Sequence, residues 1–351
     1  MSNKRNLVQS ARQVVSKEQI VADLRRMGIQ KGDRVAVTLS LKSIGYIKGG
    51  PDEFIDALLE VVGSNGTIMM NTFTYYFPLS SVPKDYVFDC ESTPSYTGLV
   101  PETFRKRTDV FRSRHPTCSV AVIGKQAEYL TEEHDEKSDP LLPYSRLAKI
   151  DGKYLCIGIG DRLVAIRHEA QCRAGLSDAV PLYYAVHYKT DQGKVKLFVR
   201  KYFGCIRNLP RLVPDLRKMG VLKTGRIGGA QAYVASAREL IDSMSEMLKE
   251  NPTLNLCEKV TCLWCRELER RMKLFNKIEN PKFFQKNNSV IKVVALVNSV
   301  RLRRFNLLLF RKGEKEVMGD DKQKYLPLQM LFGFINDLCL TVREKVHCWS
   351  K

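Results

Sequence analysis

The stretch Arg34-Val35-Ala36-Val37-Thr38-Leu39-Ser40-Leu41-Lys42-Ser43-Ile44-Gly45, followed by Gly49-Gly50-Pro51, decides the fold. Its first six residues are rich in β-branched and aliphatic side chains, the composition of a buried strand. The glycines and Pro51 then open a helix, because proline near the first helical position is pre-set in φ and lacks only an N–H that would have no partner there. That helix carries Phe54, Ile55, Leu58, Leu59 and Val62 at helical spacing and stops at Gly63. Thr67-Ile68-Met69-Met70 reads as the next strand. Strand, helix and strand in succession are the repeating unit of an α/β sheet.

The pattern continues on both sides. Upstream, Ser16 and Gln19 form a capping box, and Ile20, Val21, Leu24 and Met27 share one helical face before Gly28. Downstream, a Pro/Tyr-rich loop covers Tyr75 to Thr97, and a short helix lies around Pro101 to Lys106. Strands are expected at Ser119–Ile123, Tyr154–Ile157 and Val195–Val199. A helix capped by Ser236 and Glu239 runs from about Ala237 to Leu248, and Asn251-Pro252 ends this unit. No internal repeat is present.

A chain of 351 residues is long for one core and predicts one large domain with an appendage, or two domains. The absence of an apolar run of about twenty residues, and an N-terminus that leads into an amphipathic helix, predict a cytosolic protein. Ten irregularly spaced cysteines read as reduced thiols. Cys257, Cys262 and Cys265 have the C-x(4)-C-x(2)-C spacing of plant-type iron–sulfur ligands, with Cys339 or Cys348 as a fourth. The apolar spacing from Leu256 to Leu274 is that of a helix, so they read as buried packing residues, and no metal is expected.

The formal net charge is +19, and residues 251–351 hold 20 Lys and Arg against 10 Asp and Glu. Such a balance suggests nucleic acid first, yet no zinc finger, helix-turn-helix, aromatic RNA-binding box or basic arm is present, and no nucleic-acid partner is expected. A solvated basic face, a phosphate-bearing substrate or an anionic membrane surface remain. The tail's apolar segments, Met272–Phe284, Val293–Phe310 and Tyr325–Val342, read as an accessory subdomain, an extension of the cleft or a membrane-surface contact.

Two histidine segments carry the chemistry. Arg112-Ser113-Arg114-His115-Pro116-Thr117-Cys118-Ser119 and the later Arg167-His168-Glu169-Ala170-Gln171 both sit where a strand gives way to a turn or helix, so the two histidines could meet in one cleft. His134, His187 and His347 have no supporting context. A helix N-terminus with a Gly-Gly approach offers N–H groups to a phosphate or an amide, which makes Thr38, Ser40, Gly49 and Gly50 the candidate cofactor-binding positions. Cys118 and Cys172, close to the motif histidines, read as packing residues.

From Lys17 to Asn255 the chain resembles the aminoglycoside 3-N-acetyltransferase family. Gly32-Asp33-Arg34-Val35 through Ser40-Leu41, Ser43-Ile44-Gly45 and Gly49-Gly50 look like its opening motif, and Gly63 to Gly66-Thr67 with Thr72-Phe73-Thr74 like the next. Phe88-Asp89, Thr93-Pro94-Ser95, Gly98, Arg112-Ser113, His115-Pro116 and Ser119 resemble its central block. His168 matches the histidine of an H-x-x-E site, and Gly228-Gly229-Ala230 resembles a late turn. The resemblance implies a three-layer α/β/α sandwich over residues 1–255; residues 256–351 have no counterpart in the family and read as a basic C-terminal accessory region. It also implies direct acetyl transfer from acetyl-CoA to an amino-sugar amine.

On that reading His168 is the general base, with Glu169 or another carboxylate orienting it, and Gln171 and His115 join the catalytic set. Arg112, Ser113 and Ser119 add to the cofactor-binding positions, and Asp89 and Thr72 face substrate. A thioester is already activated, so the enzyme needs mainly to place a neutral amine and stabilise an oxyanion. Histidine suits the proton transfer at neutral pH.

The departures from the family pattern are Thr38-Leu39-Ser40-Leu41 in place of H-S-S-L, Gln171 in place of glutamate, and Asn71 in place of a proline. Gln171 hydrogen-bonds but supplies no negative charge. Net charge favours an anionic amino sugar, carried on a nucleotide diphosphate or lipid phosphate in surface-glycan assembly, over a polycationic aminoglycoside in antibiotic resistance. A catalytically silent CoA-binding homologue, a nucleic-acid binder and a homo-oligomer are the other readings.

Overall fold

The computed structural model describes residues 14–177, 180, 183–201, 204–205 and 211–278. The chain divides into two compact units, Met1–Leu268 and Glu269–Lys351, and the fold that follows is that of the first.

Its sequence-local signals are realised as read. Ser16 Oγ accepts from Gln19 N–H at 3.3 Å and starts α1 (Lys17–Arg26). β1 (Arg34–Leu39) leads through α2 (Leu41–Ile44) to α3 (Gly50–Val62), and β2 (Thr67–Asn71) follows. β3 (Phe77–Pro78), a 3-10 turn (Leu79–Ser81) and β4 (Val87–Phe88) break up the Pro/Tyr-rich segment expected to be loop. Next come α4 (Leu99–Phe104), β5 (Phe111–Arg112), β6 (Val120–Gly124), α5 (Ala127–Thr131), α6 (Leu142–Lys149), β7 (Lys153–Ile157) and α7 (Ile166–Arg173). β8 (Tyr183–Lys189), β9 (Val195–Lys201), α8 (Leu212–Lys218), β10 (Lys223–Ile227), β11 (Ala230–Ser236), α9 (Ala237–Glu250) and α10 (Leu263–Ile278) complete the order.

Seven strands form one mixed sheet in the order β10-β11-β7-β1-β2-β6-β5. β1 runs parallel to β2 and β7, and the outer pairings of β2 with β6 and of β7 with β11 are antiparallel. Strand alternation sends Val35, Val37, Ile68, Met70, Leu155 and Ile157 to one face, where they pack with Leu24 of α1, Phe54 and Leu58 of α3 and Phe104 of α4. Each such side chain contributes about 1.5–3 kcal/mol by leaving water. The other face carries Ala36, Thr38, Tyr154 and Cys156, and α5, α6, α7 and α9 lie on that side. The result is the expected three-layer α/β/α sandwich.

A second sheet, β3-β8-β4 with β9 on β8, closes over an aromatic cluster of Phe88, Tyr184, Tyr188 and Phe198. The helix expected from Leu256 onward instead begins at Leu263, because the backbone of residues 256–262 is irregular. Among the described residues no helix is long and apolar enough to cross a membrane. Val293–Phe310, Tyr325–Val342, Cys339, His347 and Cys348 lie outside the described residues.

Candidate active site

In the order β7-β1-β2 the chain leaves β1 toward β2 on one side while β7 lies on the other, so the carboxyl ends of β1 and β7 form the switch point where open α/β sheets bind ligands. Ser40 N–H donates to Ile157 O at 2.9 Å, and Ser43 Oγ donates to Gly158 O at 2.9 Å while lying 3.0 Å from Ser40 Oγ. Gly158 has φ +65°, and a Cβ there would stand 2.5 Å from Ser43 Cβ, so only glycine fits the join. Tyr154 OH donates to Val164 O at 3.0 Å, so at 2.8 Å it accepts from Thr38 Oγ1. Leu163 and Ala165, both buried, hold φ values of 43° and 65° in the turn that delivers α7. Left-handed conformations of this kind cost on the order of 1–3 kcal/mol each and concentrate at functional sites.

α7 packs beside α6 and α9 and carries His168, which is 4% exposed. Its Nδ1 lies 2.6 Å from Gln171 Oε1, one helical turn on. An amide oxygen only accepts, so Nδ1 holds the proton and Nε2 is the accepting nitrogen of the ring. Arg167 Nη2 sits 3.5 Å from Nε2 and donates to Cys205 O at 3.2 Å. Burial, and then the Arg167 charge, push the His168 pKa down to about 3, with the Gln171 bond acting in the opposite direction. The imidazole is therefore neutral throughout the physiological range. The backbone of Gly204 passes so close that a Cβ there would lie 2.4 Å from His168 Nδ1 and 2.6 Å from Gln171 Oε1.

Glu169 does not orient this ring. Adjacent residues on a helix point away from each other whereas i and i+3 share a face, so Gln171 meets His168 while Glu169, also buried, faces Ser145 of α6. Glu169 Oε1 accepts from Ser145 Oγ and, at 2.9 Å, from Arg173 Nε, and Arg173 Nη1 reaches Asp242 at 2.8 Å, tying α7 to α9.

His115 is not a partner of His168. It is fully buried, stacks on His134 with ring centroids 5.0 Å apart, and meets Phe198 edge-on at 5.3 Å. Its Nδ1 accepts from Thr117 N–H at 3.3 Å and Cys118 N–H at 3.1 Å, and its Nε2 has no hydrogen-bond partner among the described residues. Burial, with His134 and Arg200 adding to it, drives its pKa well below the ordinary histidine value. His134, which the sequence did not single out, donates from Nε2 to Pro140 O at 3.3 Å, so its Nδ1 accepts from Ser113 Oγ at 2.8 Å.

The other motif residues assigned to cofactor or substrate are structural ties. Arg112 Nε donates to Ser119 Oγ at 3.2 Å, Nη1 to Cys90 O at 2.9 Å and Thr93 O at 2.6 Å, and Nη2 to Thr72 O at 3.1 Å. Four of its five N–H groups are thus committed to the protein, which corrects the expectation that it grips the cofactor. Ser113 Oγ accepts from Val120 N–H, and Ser119 Oγ donates to Thr72 O, with both serines and Thr72 buried. Asp89 caps its own turn through Glu91 N–H and Ser92 N–H and pairs with Lys189 at 3.1 Å, a bond that holds its carboxyl below the usual range. Cys118 is buried, its thiol pushed up to about 12 by burial, and Cys172 Sγ lies 3.0 Å from Ser177 Oγ, as packing residues would.

Thr38 and Ser40 do lie at the switch point, but Gly49 and Gly50 belong to the start of α3. Glu53 packs there, 2.6 Å from where a Gly49 Cβ would be, and with Asp52 it supplies the negative charge that an incoming phosphate would bring. A cavity of about 230 Å³ lined by Arg114, Asp135, Glu136, Tyr188 and Asp191 does not include His168.

A family model described as aminoglycoside 3-N-acetyltransferase matches residues 37–249. Aminoglycoside N(3)-acetyltransferase VIII of Streptomyces fradiae is 27% identical over 269 residues, covering 68% of this chain and 93% of its own. The crystal structure of aminoglycoside acetyltransferase AAC(3)-Xa superposes with a TM-score of 0.59 at 26% identity, over 69% of this chain and 94% of its own. A structure of AAC-IIIb with CoASH shares the fold at 22% identity and a TM-score of 0.57, over 68% of this chain and 97% of its own. Motif order, sheet and family match agree: the chain belongs to the aminoglycoside 3-N-acetyltransferase family, a family of acetyl-CoA-dependent N-acetyltransferases.

Proposed function

We propose that this protein transfers the acetyl group of acetyl-CoA directly to an amine of an aminoglycoside-type amino sugar, with His168 as the base. The observation that carries this reading is the buried, neutral His168, its Nδ1–H fixed on Gln171 Oε1 at 2.6 Å, on the helix that follows the β1/β7 switch point. In the reaction the amine lone pair attacks the thioester carbon, the C–N bond forms and the C–S bond breaks. The ammonium proton passes to His168 Nε2 and then to the departing coenzyme A thiolate. Gln171 sets the tautomer without adding charge, which leaves Nε2 as the acceptor. At this end of the sheet Ser40 offers a hydroxyl, and Lys42 and Arg162 are exposed cations suited to the phosphates of coenzyme A.

The curated relative is named for aminoglycosides, which favours that acceptor class over the anionic amino sugar suggested by the charge of +19. Charges more than about 8 Å from a site are largely screened at physiological salt, so a net charge summed over the whole chain does not set the charge of the acceptor pocket. The net charge nevertheless supports the anionic amino sugar as a second reading.

Thiol release from acetyl-CoA, followed with a chromogenic reagent against an aminoglycoside panel and a nucleotide-linked amino-sugar panel, separates the two. Turnover on aminoglycosides supports the proposal, turnover on sugar nucleotides alone transfers it to the anionic class, and release with neither defeats both.

A further inference from the structure

Four cysteines from two distant parts of the chain converge on one point. Cys205, Cys257, Cys262 and Cys265 are all buried, and their sulfurs lie within 4.8 Å of one another, with Cys205 Sγ and Cys262 Sγ 3.5 Å apart. Reading Cys257, Cys262 and Cys265 as packing residues of one helix assumed a helix through all three, but α10 begins at Leu263. Only Cys265 is therefore helical, while Cys257 and Cys262 reach the same point from irregular backbone. Among the described residues the fourth member is Cys205, while Cys339 and Cys348 lie outside them.

We propose that these four cysteines are a structural zinc site that anchors the Gly204-Cys205 segment against the His168–Gln171 pair. Tetrahedral zinc with Zn–S bonds of about 2.3 Å places its sulfurs about 3.8 Å apart, so a set confined within 4.8 Å has the size of a single ion. An iron–sulfur cluster interposes several atoms between its thiolates and spreads them farther than this set allows. Four thiolates around Zn²⁺ carry a net charge of −2, and guanidinium groups stand beside two of the ligands. Arg167 Nη2 donates to Cys205 O at 3.2 Å and Arg266 Nη2 to Cys257 O at 2.6 Å. Cys265 Sγ also accepts from Cys257 N–H at 3.3 Å, the bond type that stabilises a coordinated thiolate.

The consequence for the active site follows from chain connectivity. Gly204 immediately precedes a ligand and lies against His168 Nδ1 and Gln171 Oε1, and Arg167, next to the base, bonds the ligand's carbonyl. An ion here fixes the backbone that closes over the base and takes no part in the transfer itself.

The test is the metal content of the full-length protein, expressed with zinc and purified under reducing conditions without chelator. About one zinc per chain is expected, retained in Cys118→Ser and lost in both Cys205→Ser and Cys262→Ser. Protein reconstituted with Co²⁺ should show the intense visible bands of a tetrahedral cobalt site with a thiolate charge-transfer band in the near ultraviolet, a signature independent of whether the serine variants fold. Wild-type protein without stoichiometric zinc, an iron–sulfur chromophore, disulfides among these cysteines, or zinc that persists in Cys205→Ser would overturn the assignment.

Discussion

Gln171→Glu is the sharpest perturbation of the proposed base. It keeps the shape of the side chain and puts a carboxylate oxygen where Oε1 now lies 2.6 Å from His168 Nδ1. With the charge centres about 4 Å apart, an effective dielectric of about 20 gives an attraction of about 4 kcal/mol, or about three pKa units. The imidazolium, now suppressed to a pKa of about 3 by burial and by Arg167, would then titrate near pH 6. The assay is the pH dependence of kcat/KM from pH 5 to 9, paired with an NMR titration of His168. In the wild type the acid limb should report only the acceptor ammonium, because the base is neutral throughout. In Gln171→Glu a second limb near pH 6 should appear, and the rate above it should rise because proton transfer to a stronger base is faster. A well-folded variant with an unchanged profile and an unshifted His168 would refute the reasoning.

Other outcomes follow from the same contacts. His115, His134 and His168 are buried with pKa values below that of a free histidine, so the unfolded chain binds more protons and stability should fall as pH drops below about 6.5 toward about 3. Each contributes a slope of up to about 1.4 kcal/mol per pH unit, and denaturant midpoints that stay flat between pH 6.5 and 4 would contradict it. Arg112→Lys should lower stability by about 2–4 kcal/mol by stranding carbonyls of residues 72, 90 and 93. In that variant the affinity for acetyl-CoA should change less than threefold, and a selective loss of acetyl-CoA binding in a stable protein would restore Arg112 to the cofactor site. Glu169→Gln should weaken the Arg173 tie between α7 and α9 without moving the pH profile, and a shifted profile would make Glu169 the orienting group after all.

The parts of the fold legible in the sequence are those encoded by neighbours a few residues apart. Ser16 and Ser236 cap their helices, Pro51 starts α3, Gly63 ends it, and the apolar periodicities of β1, β2 and β7 match the strands formed. Of the second sheet β9 was legible as Val195–Val199, but β3 and β4 are two residues long and owe their conformation to pairing with β8, a hundred positions on. β10 was hidden by its own composition, since Lys223-Thr224-Gly225-Arg226 is a polar edge strand held by β11. At the site, His168 and Gln171 were readable together because i and i+3 share a helix face. A motif resemblance does not tell an internal clamp from a ligand hand, so Arg112, Ser113, His115 and Ser119 invited a functional role, whereas the structure commits Arg112, Ser113 and Ser119 to internal hydrogen bonds and buries His115 against His134. The contributions of Gly204, Tyr154 and Cys205 depend on contacts between distant segments and carry no local signal.

The central claim is that His168 is the base of a direct acetyl transfer, and steady-state kinetics of His168→Asn test it most directly. With the acceptor that turns over best, kcat should fall by about 10²- to 10⁴-fold, while the dissociation constant for acetyl-CoA stays within a few-fold of the wild type. A folded His168→Asn protein that retains kcat within tenfold would show that another group, or solvent, takes the proton.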